Sequence, residues 1–235
     1  MLNILTEPVK AVANEIYAAV QGEGPFIGTP CVFVRLHGCP VKCVWCDTAY
    51  TWDGSESGKV TDTAKIYEEV IALCVENTCN HVVVTGGEPL VQRGLVDLLN
   101  RLGSAGLTVE VETAAIRPPA PEYSIKGVYW NLSPKMPSAG ARIGPSASTL
   151  QQWLTQCNRA MLKIVVSDEA DYVAAVDLVA LMPAAIPKRV YLMPCATTRA
   201  DLGERLAWLI ERAKGTGFRV TTRMHVTAFN DERGR

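Results

Sequence analysis

The sequence predicts an α/β fold in which a largely parallel sheet is covered by helices. Short runs rich in valine, isoleucine and leucine alternate along the 235 residues with longer segments of helical periodicity. The runs are apolar at successive positions, as strands are when helices cover both faces of a sheet. About six such β–α repeats are consistent with a doubly wound sheet or with a full or partial barrel, although they are too few for a complete eightfold barrel.

The first half of the chain alternates predicted strands with two predicted helices. The strands are the segments "CVFVRL", "HVVVTGGEP", "LTVEVET" and "GVYWNLSP". The segment "TDTAKIYEEVIALCV" predicts a helix with Thr61 or Asp62 as its N-cap. Its predicted apolar face consists of Ile66, Val70, Leu73 and Cys74. A second helix is predicted over "LVQRGLVDLLNRLGSAG", ending at Gly103 or Gly106.

The second half continues the same alternation. Helices are predicted near "STLQQWLTQC" and over "DEADYVAAVDLVALM" and "RADLGERLAWLIERAK", and strands over "AMLKIVVS", "RVYLMP" and "FRVTTRM". The apolar stripe of the last helix is formed by Leu202, Leu206, Leu209, Ile210 and Ala213. No repeat, low-complexity segment or linker interrupts the pattern, so residues 1–235 are expected to form a single domain.

The charge balance argues against a nucleic-acid-binding or membrane-surface protein. There are 23 basic and 24 acidic residues. No basic and apolar leader pattern follows Met1, and the longest nearly apolar run, "VAAVDLVALMPAAI", is interrupted by Asp177 and Pro183. That run is also shorter than the roughly 20 residues of a membrane span. We therefore expect a cytoplasmic protein without a nucleic-acid or membrane partner.

Three of the eight cysteines, Cys39, Cys43 and Cys46, lie in the short segment "LHGCPVKCVWCDTAY". A structural zinc site uses four ligands, but only Cys43 and Cys46 form a C-x-x-C pair, and His37 is the nearest histidine. A thioredoxin-like redox pair would leave Cys39 unexplained. An iron–sulfur cluster held by three thiolates fits better, because one iron then remains open to another ligand. The scattered cysteines are expected to be small buried residues, with Cys195 the least certain of them: Cys31, Cys74, Cys79, Cys157 and Cys195.

Other polar segments also follow predicted strands directly. They are "TGGEP", "VET", "SPK" and "MPCA". Because functional groups of parallel α/β proteins gather at the carboxyl ends of the strands, these segments and the cysteine loop are expected to meet there.

The C-x3-C-x2-C loop and "TGGEP" together resemble the radical S-adenosylmethionine superfamily. The resemblance implies a shortened, partial (β/α)6-type barrel and a 4Fe–4S cluster whose open iron chelates S-adenosylmethionine. It also implies that an electron passed to the sulfonium releases an adenosyl radical, which abstracts unactivated hydrogens. The glycine pair would offer backbone carbonyls to the methionine amino group.

A narrower resemblance covers nearly the whole chain. The segments "VQGEGPFIGTPCVFVRLHGCPVKCVWCDT", "VVVTGGEP", "VET", "SPK" and "MHV" follow in the order found in the 7-carboxy-7-deazaguanine synthase family. This resemblance implies conversion of 6-carboxy-5,6,7,8-tetrahydropterin to 7-carboxy-7-deazaguanine and ammonia, on the route to queuosine and other 7-deazapurines. It further implies Mg²⁺, a reductant such as flavodoxin, and a homodimer.

The same resemblance assigns metal and cofactor contacts. Cys39, Cys43 and Cys46 would hold the cluster, and the Thr48 hydroxyl would bind magnesium. The S-adenosylmethionine contacts would be Trp45, Cys46, Asp47, Gly87, Glu88, Ser133, Pro134, Lys135, Met193, Pro194, Cys195 and Ala196.

It also assigns the substrate site and one catalytic residue. Glu112, at the end of "VEVET", would be catalytic and would reach the substrate or the cofactor ribose. The guanidinium of Arg35 suits a carboxylate. The substrate contacts would be Val20, Gln21, Gly22, Arg35, Thr85 and His225. The segments "MPCA" and "ETAAI" and most of "RMHVTAFNDERGR" depart from the family pattern, so the carboxyl-terminal wall of the pocket is the least defined.

Two other functions are compatible with parts of this pattern. An activase that installs a glycyl radical on a partner protein has the same cysteine spacing, but "QGEG" and "CDT" argue against it. An iron–sulfur sensor or electron carrier would not explain why an open-iron loop occurs together with "GGE" and "SPK".

Overall fold

The computed structural model describes residues 7–183, 186–230 and 232–234. Its strands are β1 (Lys10–Val20), β2 (Pro30–Leu36), β3 (Lys59–Asp62), β4 (His81–Gly86), β5 (Thr108–Thr113), β6 (Val128–Leu132), β7 (Ala160–Val166), β8 (Val190–Pro194) and β9 (Arg219–Val220). Its α-helices are α1 (Thr63–Glu76), α2 (Leu95–Ser104), α3 (Ala147–Gln156), α4 (Glu169–Ala180), α5 (Arg199–Ala213) and α6 (Met224–Phe229).

Within the described residues, nine strands form one sheet in the order β3-β1-β2-β4-β5-β6-β7-β8-β9. The seven strands from β2 through β9, with β3 excepted, run parallel, as the alternating pattern predicts. β1 runs antiparallel to both β2 and β3. The carboxyl ends of the parallel strands therefore lie along one edge, where the cysteine loop and the other polar segments follow them.

The core lies between the sheet and its helices. Leu98 and Leu99 of α2 are fully buried, and Trp130 of β6 packs on Trp153 of α3 with ring centroids 4.7 Å apart. These contacts bury large apolar surfaces, which supply the main favourable free energy of folding. No helix of the described ranges is long and apolar enough to cross a membrane.

The inner side of the parallel strands is polar, unlike the apolar runs expected from the sequence. Side chains alternate along β5, where Val109 and Val111 face the core and Glu110 and Glu112 face the opposite side. Lys163 of β7 also lies on that opposite side, bonded to Glu112. Strands β5 and β7, whose sequences are mainly apolar, thus place a row of charged side chains in the interior of the protein.

Two strands were absent from the prediction, namely β1 and β3. The sequence of β1 carries polar residues such as Asn14 and Glu15 within its apolar positions, so it lacks the run of large apolar residues that marks the other strands. β3 is a four-residue edge strand with little buried surface. The strand predicted over "FRVTTRM" is shorter than expected and comprises only Arg219–Val220.

The second predicted helix begins later than expected. Pro89–Val91 forms a 3₁₀ turn, and α2 starts at Leu95. The backbone of Gln92 is extended, and its side-chain amide accepts from the Val12 N–H and donates to the His37 carbonyl. The helix ends at Ser104, within the predicted range of ends.

The predicted helix faces are correct for most positions. In α1, Ile66, Val70 and Cys74 are buried, while Leu73 is half-buried. Asp62 is the N-cap residue of α1, although its side chain makes no capping hydrogen bond. In α5, Ile210 departs from the predicted stripe, because its side chain is 44% exposed.

Candidate active site

A cavity of about 410 Å³ opens at the carboxyl ends of the parallel strands. Nearly all site residues suggested by the sequence line it: Val20, Gln21, Gly22, Arg35, Cys39, Cys43, Trp45, Cys46, Asp47, Thr48, Thr85, Gly87, Glu88, Glu112, Ser133, Lys135, Met193, Cys195, Ala196 and His225. One tertiary site therefore gathers segments that are spread over more than 200 positions of the chain.

Pro134 and Pro194 are the exceptions, since neither lines the cavity. Each lies between two residues that do, and Pro194 is the last residue of β8, a strand in which successive side chains point to opposite sides. Ser133 and Lys135 flank the first proline, and Met193 and Cys195 flank the second. Side-chain contacts with a ligand in this cavity are therefore expected from the flanking residues and not from the prolines.

The cysteine loop places three free thiols on the cavity. Burial raises the pKa of Cys39 and of Cys43, so iron coordination has to displace their protons. No three histidine, cysteine or acidic side chains of the described residues converge on one point as the ligands of a single metal ion do. A cuboidal cluster instead takes each thiolate on a different iron, and three thiols around one cavity fit that requirement.

The glycine pair of "TGGEP" lets β4 approach the cysteine loop closely. A Cβ atom on Gly86 would collide with the backbone of Leu36, and one on Gly87 would collide with the Gly38 carbonyl. The Gly87 N–H donates to the Leu36 carbonyl over 2.8 Å, and the Glu88 N–H donates to the Gly38 carbonyl over 2.8 Å. Close backbone packing thus accounts for both glycines, in addition to any contact with a cofactor.

The Glu88 carboxylate is directed at the end of β5. It accepts hydrogen bonds from the Leu90 N–H, the Thr113 hydroxyl and the Ala114 N–H, at 2.9, 2.5 and 2.7 Å. Burial raises the pKa of Glu88, and these donors oppose that rise. The side chain therefore joins two strand ends beside the cavity, and its carboxylate is already engaged by protein donors.

Other predicted cofactor residues are held by defined partners. The Trp45 indole N–H donates to the Ser138 hydroxyl over 3.1 Å, and Asp47 forms an ion pair with Arg223. Lys135 donates to the Ser133 hydroxyl over 2.9 Å. The ammonium of Lys135 is close enough to the cysteine loop to lower the pKa of Cys43 against the effect of burial.

The "QGEG" segment forms the opposite wall of the cavity. Gln21 donates to Glu110 over 2.8 Å, beneath the cavity floor. A Cβ atom on Gly22 would collide with the His225 ring, so this glycine allows the histidine to pack against the backbone. Burial lowers the pKa of His225, which leaves the imidazole neutral at pH 7.

Arg35 is held in a polar cluster on β1 and β2. Its Nε donates to a Glu15 oxygen over 2.6 Å, and one terminal nitrogen donates to the Tyr17 hydroxyl over 2.8 Å. Tyr50 donates to the same Glu15 oxygen over 2.7 Å. Arg233 also pairs with Glu15 and lies 3.8 Å from the Tyr50 ring centre, so residues 232–234 extend along the cavity mouth.

Lys163 lies at the centre of the site, although sequence reasoning did not select it. Its ammonium is 2.5 Å from a Glu23 oxygen and 2.8 Å from a Glu112 oxygen, and its side chain is only 5% exposed. Glu112 also accepts from the Thr85 hydroxyl over 3.0 Å. The signal in the sequence is a single lysine inside the apolar strand "AMLKIVVS", because a lysine at such a position requires a buried partner.

Arg223 was likewise missed. It pairs with Glu23 at 2.9 Å and with Asp47, and so connects the "QGEG" segment to the cysteine loop. Arg223 is the first residue of the divergent segment "RMHVTAFNDERGR", where no pattern singled it out. Trp52 was missed as well, and its indole nitrogen lies 3.4 Å from the Cys46 sulfur.

The remaining cysteines lie apart from the three-cysteine loop, except for Cys195 on the cavity wall. Cys31 and Cys74 are buried, whereas Cys79 and Cys157 are half-buried. Burial raises the pKa of the Cys74 thiol to about 12. The prediction of small buried residues is right for Cys31 and Cys74, whereas Cys79 and Cys157 pack against the core but are only partly buried.

Comparisons with known proteins identify the family of the chain. Residues 33–131 match the model of the radical SAM superfamily. The chain is 40% identical over 224 residues to the 7-carboxy-7-deazaguanine synthase of Pyrobaculum aerophilum, covering 94% of this chain and 96% of that protein. It is 31% identical over 228 residues to the 7-carboxy-7-deazaguanine synthase of Escherichia coli K12, covering 90% and 95%.

Solved structures support the same assignment. The crystal structure of QueE from Escherichia coli matches with a TM-score of 0.66 at 25% identity, covering 92% of this chain and 95% of that one. The crystal structure of Streptococcus suis SuiB bound to its precursor peptide SuiA shares the fold, with a TM-score of 0.60 at 14% identity over 81% of this chain and 48% of that chain. The partial radical S-adenosylmethionine barrel predicted from the sequence is thereby confirmed, and the chain belongs to the 7-carboxy-7-deazaguanine synthase family.

Proposed function

We propose that the cavity converts 6-carboxy-5,6,7,8-tetrahydropterin to 7-carboxy-7-deazaguanine and ammonia, in 7-deazapurine and queuosine biosynthesis. The observation that carries this proposal is the meeting of the three-cysteine loop with Gln21, Arg35 and Glu112 in one cavity. A radical site and a set of groups suited to a carboxylated bicyclic amide therefore share one space. The membership of the chain in the 7-carboxy-7-deazaguanine synthase family points to the same reaction.

Cys39, Cys43 and Cys46 would hold the cluster, and residues beside them would hold S-adenosylmethionine. When bound, the cluster supplies an electron for reductive cleavage of S-adenosylmethionine, which provides the oxidising radical for hydrogen abstraction. Trp45, held by Ser138, would pack on the cofactor beside the loop. The Lys135 ammonium donates to the Ser133 hydroxyl over 2.9 Å beside the cysteine loop, and it would neutralise the methionine carboxylate.

The opposite wall would orient the pterin. Arg35 would bind the substrate carboxylate with the guanidinium edge that Glu15 and Tyr17 leave accessible to the cavity. Gln21 and Thr85 would match donors and acceptors along the ring amide. The neutral His225 ring would supply one further donor or acceptor.

Glu112 would accept a hydrogen bond or a proton from the substrate. Lys163 and Thr85 donate to this carboxylate from two sides, so its position in the cavity is fixed. An ionised carboxylate only accepts hydrogen bonds, and it can take up a proton when the ring contracts and ammonia leaves. Lys163 would act as a positioning residue, because its ammonium binds the oxygen of Glu112 and does not itself need to touch the substrate.

Magnesium would be held by the Thr48 hydroxyl together with substrate oxygens. Thr48 precedes the 3₁₀ turn Ala49–Thr51, yet its side chain makes no capping hydrogen bond there. Its hydroxyl lies 3.7 Å from the Cys46 sulfur and faces the cavity. Magnesium prefers oxygen and takes few ligands from protein, so one hydroxyl suits a site completed by the substrate.

We further propose a cytoplasmic enzyme made of one domain over residues 1–235, which acts as a homodimer. A one-electron reductant such as flavodoxin would supply the electron. The homodimer and the reductant are both implied by the family resemblance. The reductant is also needed because the cluster requires an external electron. Size-exclusion chromatography with light scattering tests the dimer, and turnover with reduced flavodoxin in place of dithionite tests the donor.

Anaerobic turnover of the reconstituted protein tests the reaction directly. With the carboxytetrahydropterin and S-adenosylmethionine, we expect 7-carboxy-7-deazaguanine, ammonia and 5′-deoxyadenosine. Substrate deuterated at ring carbon 6 should transfer its label to 5′-deoxyadenosine or back to S-adenosylmethionine. Product without label transfer would exclude abstraction at that carbon. Cleavage of S-adenosylmethionine without pterin turnover would favour the activase alternative, and no cleavage under reduction would favour an electron carrier.

A further inference from the structure

The Cys46 sulfur has a hydrogen-bond donor that the family resemblance did not assign. The indole Nε1–H of Trp52 donates to this sulfur over 3.4 Å. Cys39 differs, because its sulfur is approached by the backbone N–H groups of Val41 and Lys42. Cys46 is therefore the cysteine of the loop that receives an indole N–H.

The Trp52 backbone is fixed to the same loop. Its N–H donates to the Ala49 carbonyl over 2.9 Å at the end of the 3₁₀ turn Ala49–Thr51. The carbonyl of Thr51, which is fully buried, accepts from the Gly38 N–H over 2.7 Å. The Lys42 ammonium lies 5.8 Å from the centre of the Trp52 ring. The turn and the cysteine loop thus hold the indole in place before any cluster binds.

A neighbouring tryptophan provides an internal comparison. Trp45 directly precedes Cys46 in the sequence, but its indole N–H donates to the Ser138 hydroxyl. Of these two tryptophans, Trp52 is the one that donates its indole N–H to the Cys46 sulfur, although Trp45 is nearer to Cys46 in sequence. Substituting Trp52 and Trp45 in turn therefore separates the effect of the N–H on the Cys46 thiolate from the effect of a nearby aromatic ring.

We propose that Trp52 is a positioning residue that raises the reduction potential of the cluster through its hydrogen bond to the Cys46 thiolate. Reduction adds negative charge to the cluster and its sulfurs, and a hydrogen bond to a charged acceptor is stronger than one to a less charged acceptor. The N–H therefore stabilises the reduced state more than the oxidised state, and hydrogen bonds to sulfur are an established determinant of cluster potential. The inference rests on the cluster assigned under the proposed function.

The test is a potentiometric titration of Trp52→Phe, which keeps an aromatic ring and removes the donor. Wild type and variant are reconstituted anaerobically, matched for iron and sulfide content, and followed by the paramagnetic signal of the reduced cluster. No pterin or S-adenosylmethionine is added, so the result is independent of the reaction catalysed. At a fixed potential, we expect at least a tenfold lower ratio of reduced to oxidised cluster, equal to a shift of about 59 mV to more negative values.

Trp45→Phe is the matched control, because it removes an indole donor that binds Ser138 and not sulfur. Its potential should remain at the wild-type value. Equal potentials for Trp52→Phe and wild type, at full cluster content, would overturn the proposal. So would an equal shift in both variants, because it would assign the effect to the rings.

A second measurement applies if Trp52→Phe does not retain iron. The Trp45→Phe protein, labelled with indole-¹⁵N tryptophan, is reduced and examined by electron–nuclear double resonance. We expect a hyperfine coupling from one ¹⁵N nucleus, since Trp52 is then the remaining tryptophan with its N–H on a ligand sulfur. A reduced cluster without this ¹⁵N coupling would overturn the proposal. A protein that binds iron on none of the three cysteines would instead contradict the cluster itself.

Discussion

The ammonium of Lys163 lies 2.8 Å from the carboxylate of Glu112, so that β7 is joined to β5 across the inner side of the sheet. The same ammonium is 2.5 Å from Glu23, which also pairs with Arg223. Removing one partner of such a buried ion pair strongly destabilises the folded protein, because the other charge remains buried and uncompensated. The ion pairs of Lys163 and Glu23 are therefore expected to stabilise the walls of the cavity and to make the free energy of unfolding depend on pH.

Lys163→Met should destabilise the folded protein by about 3–5 kcal/mol, because it leaves Glu23 and Glu112 without their shared cation. Lys163→Arg keeps the charge and should lose much less. Lys214→Met is the control, since Lys214 pairs with Glu211 at a surface site where its side chain is 66% exposed, and exposed pairs contribute less than about 1 kcal/mol. Anaerobic urea unfolding followed by circular dichroism measures all three, and equal losses for Lys163→Met and Lys214→Met would contradict the prediction.

Glu23 should make the protein sensitive to acid. Burial alone would raise its pKa, but the charges of Lys163 and Arg223 outweigh burial and hold the pKa of Glu23 well below its usual range. The resulting stabilisation is present above the unfolded-state pKa of about 4.3 and is lost as pH falls below it toward the folded-state value.

Glu23→Gln should therefore have a smaller dependence of unfolding free energy on pH between about pH 5 and pH 3 than wild type has. Glu76→Gln, at an exposed position on α1, is the control and should keep the wild-type slope. Urea unfolding at a series of pH values gives both slopes. A wild-type slope in Glu23→Gln would show that the ion pairs of Glu23 do not govern acid unfolding.

Substitution of any one cysteine of the loop should abolish cluster assembly. Cys39→Ala, Cys43→Ala and Cys46→Ala should each lose most of their iron and all pterin turnover, because each thiolate would be the ligand to a different iron of the proposed cluster. Cys74→Ala and Cys157→Ala lie outside the cavity and should retain iron and turnover. Iron and sulfide analysis after anaerobic reconstitution separates the two groups. Full iron content in all three loop variants would rule out this ligand set.

Arg35→Lys should raise the KM for the pterin about tenfold or more and leave the KM for S-adenosylmethionine within about twofold. A lysine retains one charge but loses the forked hydrogen bonds, which contribute about 1.5–3 kcal/mol when they join charged groups. Arg159→Lys, whose guanidinium lies over the Tyr129 ring and not on the cavity, is the control. Steady-state kinetics with each substrate varied in turn measures the effect, and an equal rise in both constants would indicate a general distortion of the site.

Thr48→Val should lower pterin turnover and weaken its dependence on added magnesium. Valine nearly preserves the shape of threonine and removes the oxygen that would bind the ion. Iron content and cleavage of S-adenosylmethionine without pterin should remain close to wild type. Thr51→Val serves as the control, because the Thr51 hydroxyl donates to the Thr48 carbonyl and not to the cysteine loop. Unaltered magnesium dependence in Thr48→Val would remove this hydroxyl from the metal site.

Much of the site could be predicted because its chemistry depends on local sequence. The cysteine spacing, the glycine pair and the order of the strand-end segments are all continuous motifs. In parallel α/β proteins, the carboxyl ends of the strands meet at one edge whatever the lengths of the helices between them. Residues as distant in sequence as Gln21 and His225 could therefore be assigned to one cavity, and the structure places both there.

The ion-pair partners could not be predicted in the same way. Lys163 and Glu23 are 140 positions apart, and Arg223 and Asp47 are 176 positions apart. Which buried cation meets which carboxylate depends on strand order and register, and these are properties of the assembled sheet. The antiparallel strands β1 and β3 could not be predicted either. Polar residues interrupt the apolar pattern of β1, and β3 is a short edge strand.

The sequence by itself determined the α/β class, the three-cysteine loop and the family, because each is carried by periodicity or by residues adjacent in the chain. Only the tertiary structure decided that Lys163 binds Glu112, that Glu88 is engaged by protein donors, and that Trp52 and not Trp45 donates to Cys46. The physical reason is that a hydrogen bond or ion pair depends on separations of about 3 Å between atoms, and such separations are fixed only when strands and loops pack together.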